Sequence, residues 1–183
     1  AQGIHTRSTP VRIPGDLDGR RIVTGNRVHA AFLRGFGAVA VAPAGAAPAR
    51  LLEAGEADGL IGTVRGVSLT GGAEAAPYRS ELVIGVPRHY VLAGGPWLAG
   101  LEAAERELVE QAVSDARVAV DTALDAELER ARSGLPHSPY RPTAPELAAF
   151  RRVGVPAAID ELENSVPLSW ITGALEAAEA VRE

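Results

Sequence analysis

Cysteine is absent from the 183 residues, so neither disulfides nor thiol chemistry operate here, and the absence fits either redox compartment. Methionine is absent too, so the written chain does not open on an initiator and is expected to be a processed product or a piece of something longer. Lysine is missing as well, and all 18 basic residues are arginine. With the abundance of Ala, Gly and Pro, that reads as a codon-composition bias and carries no functional meaning. No apolar run approaches the length of a membrane span, and the first twenty residues lack the basic, apolar and small-residue order of a signal peptide. Any export signal would lie upstream of Ala1. Positive charge is in deficit: the net charge is −5 and the arginines form no dense run, which argues against a nucleic-acid partner.

What is present is a chain 46% hydrophobic, long enough for one substantial core or two small lobes sharing an interface. Its organising stretch runs from Asp16 to Gly59. Arg20 to Val23 is β-prone and breaks at Thr24-Gly25-Asn26, after which Val28, Ala31, Phe32 and Phe36 recur at helical spacing until Gly37. Ala38 to Ala42 is a continuous apolar run that suits a strand buried on both faces. A helix over Pro48 to Glu53 closes at Gly55, and Asp58-Gly59 leads into a strand at Leu60-Ile61. Alternation of this kind predicts an α/β fold with a mostly parallel sheet.

Ala1 to Gly15 reads as a polar connector with a weak strand at Gly3 to Thr6. Gly62 to Pro77, with four glycines, is expected to be a loop. Glu81 to Val86 and His89 to Ala93 are strand candidates separated by Pro87-Arg88. From Leu101 to Ser133 there is neither Gly nor Pro, and an apolar stripe predicts one long helix, with acidic residues in its first turns and Arg130 and Arg132 in its last. Thr143-Ala-Pro-Glu146 fits a capping box opening a helix through Phe150, and a final helix is expected from Val166 to Val181 with Ser165 as cap. The expected division is an α/β lobe over 1–96, a long helix over 97–134, and a linker with C-terminal helices over 135–183. There is no internal repeat and no low-complexity tract.

Candidate site residues have bland readings beside sharp ones. Asn26 is placed as a helix N-cap, although a helix N-terminus below a cleft also suits an anion. Arg27, next to it, is either an anion partner or a solvated side chain. His29 reads as a surface residue, and His5, His89 and His137 are too scattered to form a metal set. Asp58 reads as turn chemistry, and Trp97 as packing between the long helix and the sheet. The carboxylates opening the long helix have no base or nucleophile nearby, so an acid/base enzyme is not supported, and no cofactor is implied.

The run Asp16-Leu17-Asp18-Gly19 before a strand, a helix ending at glycine, a second strand reaching a proline, and then Leu51-Leu52-Glu53-Ala54-Gly55-Glu56-Ala57-Asp58-Gly59 resembles the second lobe of DctP-type solute-binding proteins of TRAP transporters. Tyr90-Val91-Leu92, Trp97 and Leu101 with the following helix resemble the same family, and the likeness extends from about Gly3 to Glu163. It implies a periplasmic-binding-protein-like lobe from an extracytoplasmic receptor that closes around a small organic acid or related solute and delivers it to a TRAP membrane permease.

In that family an arginine ends the strand after the Asp-Leu-x-Gly motif and pairs with the ligand carboxylate; here the position is Val23. Family positions for an aromatic and an asparagine hold Gly45 and Gly62. An asparagine just past the strand is retained as Asn26, and the family's preceding-strand arginine would fall near His5 to Arg7. The ligand set so implied is Thr24, Asn26, Arg27, His5 and Arg7. The family's first-lobe portion has no counterpart in the chain, so a missing first lobe or second chain is expected, with self-association through the uncovered stripe of the long helix. The rival reading is a non-transporting interaction or regulatory module that kept the fold.

Overall fold

The computed structural model describes residues 1–43, 45, 47–88 and 90–180, with side chains for all of these but Glu179. Five strands, β1 (Gln2–Thr6), β2 (Arg21–Val23), β3 (Val39–Val41), β4 (Gly59–Thr63) and β5 (Tyr78–Gly85), form one sheet in the order β3-β2-β4-β1-β5. β2 pairs in parallel with β3 and β4, whereas β1 runs antiparallel between β4 and β5. Four strands therefore share one direction and β1 opposes them. The sheet is mostly parallel, as the alternating pattern predicts.

Local chemistry sets the helices between these strands. α1 (Arg27–Arg34) starts where the Asn26 side chain accepts from the Val28 and His29 amides, and α2 (Pro48–Glu53) starts on a proline whose fixed φ suits a first turn. Gly37 and Gly55, with φ of 75° and 72°, turn the chain out of α1 and α2 in a conformation that costs glycine nothing. At the other end of the sheet, Asp58 braces β4 to β2: its carboxylate accepts from the Arg21 amide at 2.9 Å and from the guanidinium at 2.9 and 3.1 Å. Asp58 is thus structural, in keeping with its bland reading.

Both faces of the sheet are covered. Ile4, Ile22, Leu33, Phe36 and Phe150 pack on one face, and Val23, Leu52, Leu60 and Val67 on the other. The first face is closed by α7 (Ala144–Glu163), which opens on the expected Thr143–Glu146 capping box and lies along α1. Phe36 stands edge-on between Phe32 at 4.9 Å and Phe150 at 5.6 Å, the favoured aromatic geometry. Gly154 has a physical reason here, because a Cβ at that position would overlap the Phe32 ring.

Several expectations are corrected. The glycine-bearing stretch after β4 is not a loop: it forms α3 (Val64–Leu69), capped by Thr63, and α4 (Gly72–Ala75). Tyr90 to Ala93 are not in a strand and are exposed, and His89 lies outside the described residues. Trp97 is in a short helix, α5 (Gly95–Ala99), where it is half exposed and does not pack a helix onto the sheet. The long helix is α6 (Ala103–Ser133), beginning after Glu102. α7 runs well past Phe150 and through Pro156, and α8 (Leu168–Ala180) starts beyond Ser165, with Val181 outside the described residues. β3 is an edge strand, so Val39 is exposed where burial on both faces was expected.

The aromatic contact makes α7 the lid of the core. Replacing Phe150, which is 3% exposed, by alanine is expected to cost about 3–5 kcal/mol by lost burial and the cavity left behind. Urea denaturation of the two proteins measures this, and a loss below about 1 kcal/mol would mean that α7 is not part of the cooperative core.

Candidate functional site

β2 sits where the chain changes direction across the sheet. α1 leaves it to cover one face on the way to β3, while α3, following β4 on the other side, covers the opposite face. In open α/β sheets such a switch point leaves a crevice at the carboxyl ends of the two strands, and it is the usual place for a ligand. Here the crevice is flanked by Thr24 after β2 and by Thr63 at the end of β4. Because β1 is antiparallel, Gln2 lies beside Thr63 and Gly85 at the same edge.

The polar groups at this edge are mostly engaged with the backbone. Thr24 is buried, and its hydroxyl accepts from the Asn26 amide at 3.3 Å. Asn26 Oδ1 accepts from Val28 N at 2.8 Å and His29 N at 3.1 Å, which realises the capping reading. Asn26 is exposed, and its Nδ2 makes no hydrogen bond among the described residues. The Arg27 guanidinium donates to Ser165 Oγ at 3.0 Å and lies 3.7 Å from Glu161, which Arg34 also approaches at 3.7 Å. Arg27 is therefore tethered towards the end of α7. His29 is half-buried, which holds its pKa below the ordinary value, and its Nε2 lies 3.3 Å from where a Cβ on Gly85 would stand.

The three positions where the resemblance leads to ligand-contacting side chains carry none. Val23 is 3% exposed and packed with Leu52 and Leu60. Gly45 is in an exposed turn with φ of 85°. Gly62 is bare because α3 sits down on β4: a Cβ there would come within 2.6 Å of Val67 Cγ2.

His5 and Arg7 do not join Thr24, Asn26 and Arg27. Arg7 is exposed at the opposite end of the sheet, where its amide donates to the Asp58 carbonyl at 3.0 Å. His5 is fully buried, level with Val23 through Leu60, and its cross-strand neighbour is Arg79. Arg79 Nη1 donates to His5 Nε2 at 2.8 Å, which places the imidazole proton on Nδ1, a buried atom without a partner. Burial, and then the neighbouring guanidinium, drive the His5 pKa down to about 3. Arg79 is lowered chiefly by burial and is opposed by Glu81, whose carboxylate lies 3.7 Å from Nε. Sequence reasoning missed Arg79 and Gln2, since only strand register brings either to its neighbours.

Residues 2–161 match the family model DctP, described as bacterial extracellular solute-binding protein, family 7, and the chain belongs to that family. Among solved structures it is similar to a TRAP periplasmic solute-binding protein from Desulfovibrio salexigens with bound orotic acid (16% identity, TM-score 0.76, 99% of this chain and 60% of that one). One from Pseudomonas aeruginosa with bound L-malate gives 18% identity and a TM-score of 0.71 over 87% of this chain and 57% of that one. The ectoine-binding protein of the TeaABC TRAP transporter of Halomonas elongata gives 18% and 0.71 over 91% and 55%. The fold is accordingly of the periplasmic-binding-protein kind, and the chain spans 55–60% of the length of these three structures. No curated protein matches. Among the described residues no helix is long and apolar enough to cross a membrane.

The buried pair gives the fold a pH dependence with a definite sign. With the folded pKa near 3 against an ordinary 6.5, the unfolded chain binds the extra proton first as pH falls. The stability that depends on neutral His5 is complete above about pH 6.5 and declines towards pH 3, by up to about 1.4 kcal/mol per pH unit. Denaturant titrations at steps between pH 7.5 and 4.5 are expected to show this slope, and His5→Gln is expected to flatten it. An unchanged slope in the variant would remove His5 as its source.

Proposed function

We propose that this chain is the second lobe of an extracytoplasmic solute receptor of a TRAP-type transporter, with an altered site for a small organic acid or related solute. The observation that carries the reading is the topological switch point at the carboxyl ends of β2 and β4, in a chain whose family is one of extracellular solute-binding proteins. Thr24 and Asn26 supply hydrogen-bonding groups at its edge, Gln2 and His29 lie alongside, and Arg27 is the cation within reach once released from Glu161. His5 and Arg7 act elsewhere: His5 in the core beneath the crevice and Arg7 at the far end of the sheet.

The surface supports a lobe that works with another body. Tyr90 and Val91 are more than half exposed, and so are Leu108 and Val118 of α6. A first lobe, in a longer polypeptide or a second chain, would cover such a surface and close over the solute, and the membrane permease would receive it. Affinity in such a receptor comes from enclosure, since one lobe offers only an open face. With Val23 in the apolar core, a carboxylate has no strand-end arginine to pair with, and burying it unpaired is costly. That same observation favours the second reading, an interaction or regulatory module that has given up solute binding.

Calorimetric titration with orotate, L-malate and ectoine separates the two. The chain alone is expected to bind each more weakly than about 1 mM, and the two-lobed form to bind at least one at about micromolar strength. Thr24→Ala with Asn26→Ala is expected to weaken that binding by about tenfold or more, the loss of one to two good hydrogen bonds. Absence of binding by the two-lobed form to these and to a wider panel of organic acids would overturn the receptor in favour of the module. Binding indifferent to the double substitution would move the site away from β2.

A further inference from the structure

α6 is anchored at one end only. Its last third packs on α3, with Leu124 and Leu128 half-buried and Arg65 paired with Glu127, whereas most of Ala103 to Ala123 is exposed. Along this free stretch Val109, Val113, Ala116 and Val120 are spaced four, three and four residues apart, the d-a-d-a spacing of a coiled-coil seam. Val113 and Val120 remain 39% and 54% exposed. Val109, Glu110 and Val113 also form one wall of a largely apolar groove whose other wall includes Leu92, Trp97 and Leu98.

We propose that this seam docks the same seam of a second copy of the chain, as an antiparallel pair of α6 helices. Self-complementarity argues for that occupant. Setting Val109 against the partner's Val120 sets Val113 against the partner's Ala116, and the two-fold axis repeats both layers. In this register Glu110 on one flank of the seam faces the partner's Arg117, twice per dimer, and neither residue is in an ion pair among the described residues. The other flank carries Ala112 opposite the partner's Ala119, so small side chains allow the helices to approach closely. A parallel pairing would not bring Glu110 to Arg117 along one flank. The groove beside Val109 and Val113 then receives the partner's Val120 end of the seam. This inference does not rest on solute binding.

Sedimentation velocity of the chain across the micromolar range is the test. The chain is expected to show a reversible monomer–dimer equilibrium. Glu110→Arg alone and Arg117→Glu alone should each weaken it by about tenfold or more, because each sets like charges opposite one another twice. Mixing the two variants should restore dimers, as heterodimers with both flanking pairs complementary. Both positions are exposed, and an unchanged circular dichroism spectrum confirms folding. A monomer at every concentration, a dimer indifferent to both reversals, or a mixture that stays monomeric would overturn the proposal.

Discussion

The structure depends on one strand running the wrong way. β1 enters antiparallel between β4 and β5, and its Ile4, His5 and Thr6 are entirely buried. Without it, β5 has no ladder partner among the named strands, and the Tyr140 backbone, which exchanges hydrogen bonds with Arg79 and Glu81, would lose the edge that leads the chain into α7. The insertion has an electrostatic consequence. Buried positions on a central strand are ordinarily apolar, yet register sets His5 opposite Arg79, and the pair remains affordable only while the imidazole is neutral and accepts from the guanidinium.

The fold was legible in the sequence where the signal was local. Asn26 as cap, Gly37 and Gly55 as stops, and the Thr143–Glu146 box are each decided within a turn of helix, and the structure has all of them. The glycines after β4 misled for a physical reason. Gly62 and Gly72 are small so that α3 can close on the sheet, since a Cβ on either would press on Val67, and they are not there to break structure. Tyr90 to Ala93 has strand composition, but a strand forms only against a neighbour and the described residues provide none there. At the site, Thr24, Asn26 and Arg27 are adjacent in sequence and so were found together. Gln2 and Arg79 reach their neighbours through cross-strand register, which no local pattern encodes.

The crevice and the exposed surface have a common origin in packing. Val23 and Gly62, positions associated by resemblance with solute contact, here serve the apolar cluster under α3, so the hydrogen-bonding groups that remain are those of the β2–α1 junction. On the other face, β5 bulges between its pairings with Ile4 and Gln2, and Val83 takes a φ of 49° that a β-branched residue rarely adopts. Beside it lies an apolar cleft of about 450 Å³ between β5 and α7, with Arg151 among its lining residues. The two places differ in chemistry: hydrogen-bonding groups of Thr24 and Asn26 stand at the switch point, whereas the cleft has walls of Leu82, Ile84, Leu147 and Phe150.

Solute binding is proposed at the carboxyl ends of β2 and β4. Its most direct test is a map of backbone amide chemical shifts during titration of the chain with L-malate, in which even weak contact is located residue by residue. The account predicts saturable shifts confined to Thr24 through His29 and to Thr63 and its neighbours. Shifts centred on Val83, Leu147 and Phe150, with the β2–α1 junction unmoved, would contradict it.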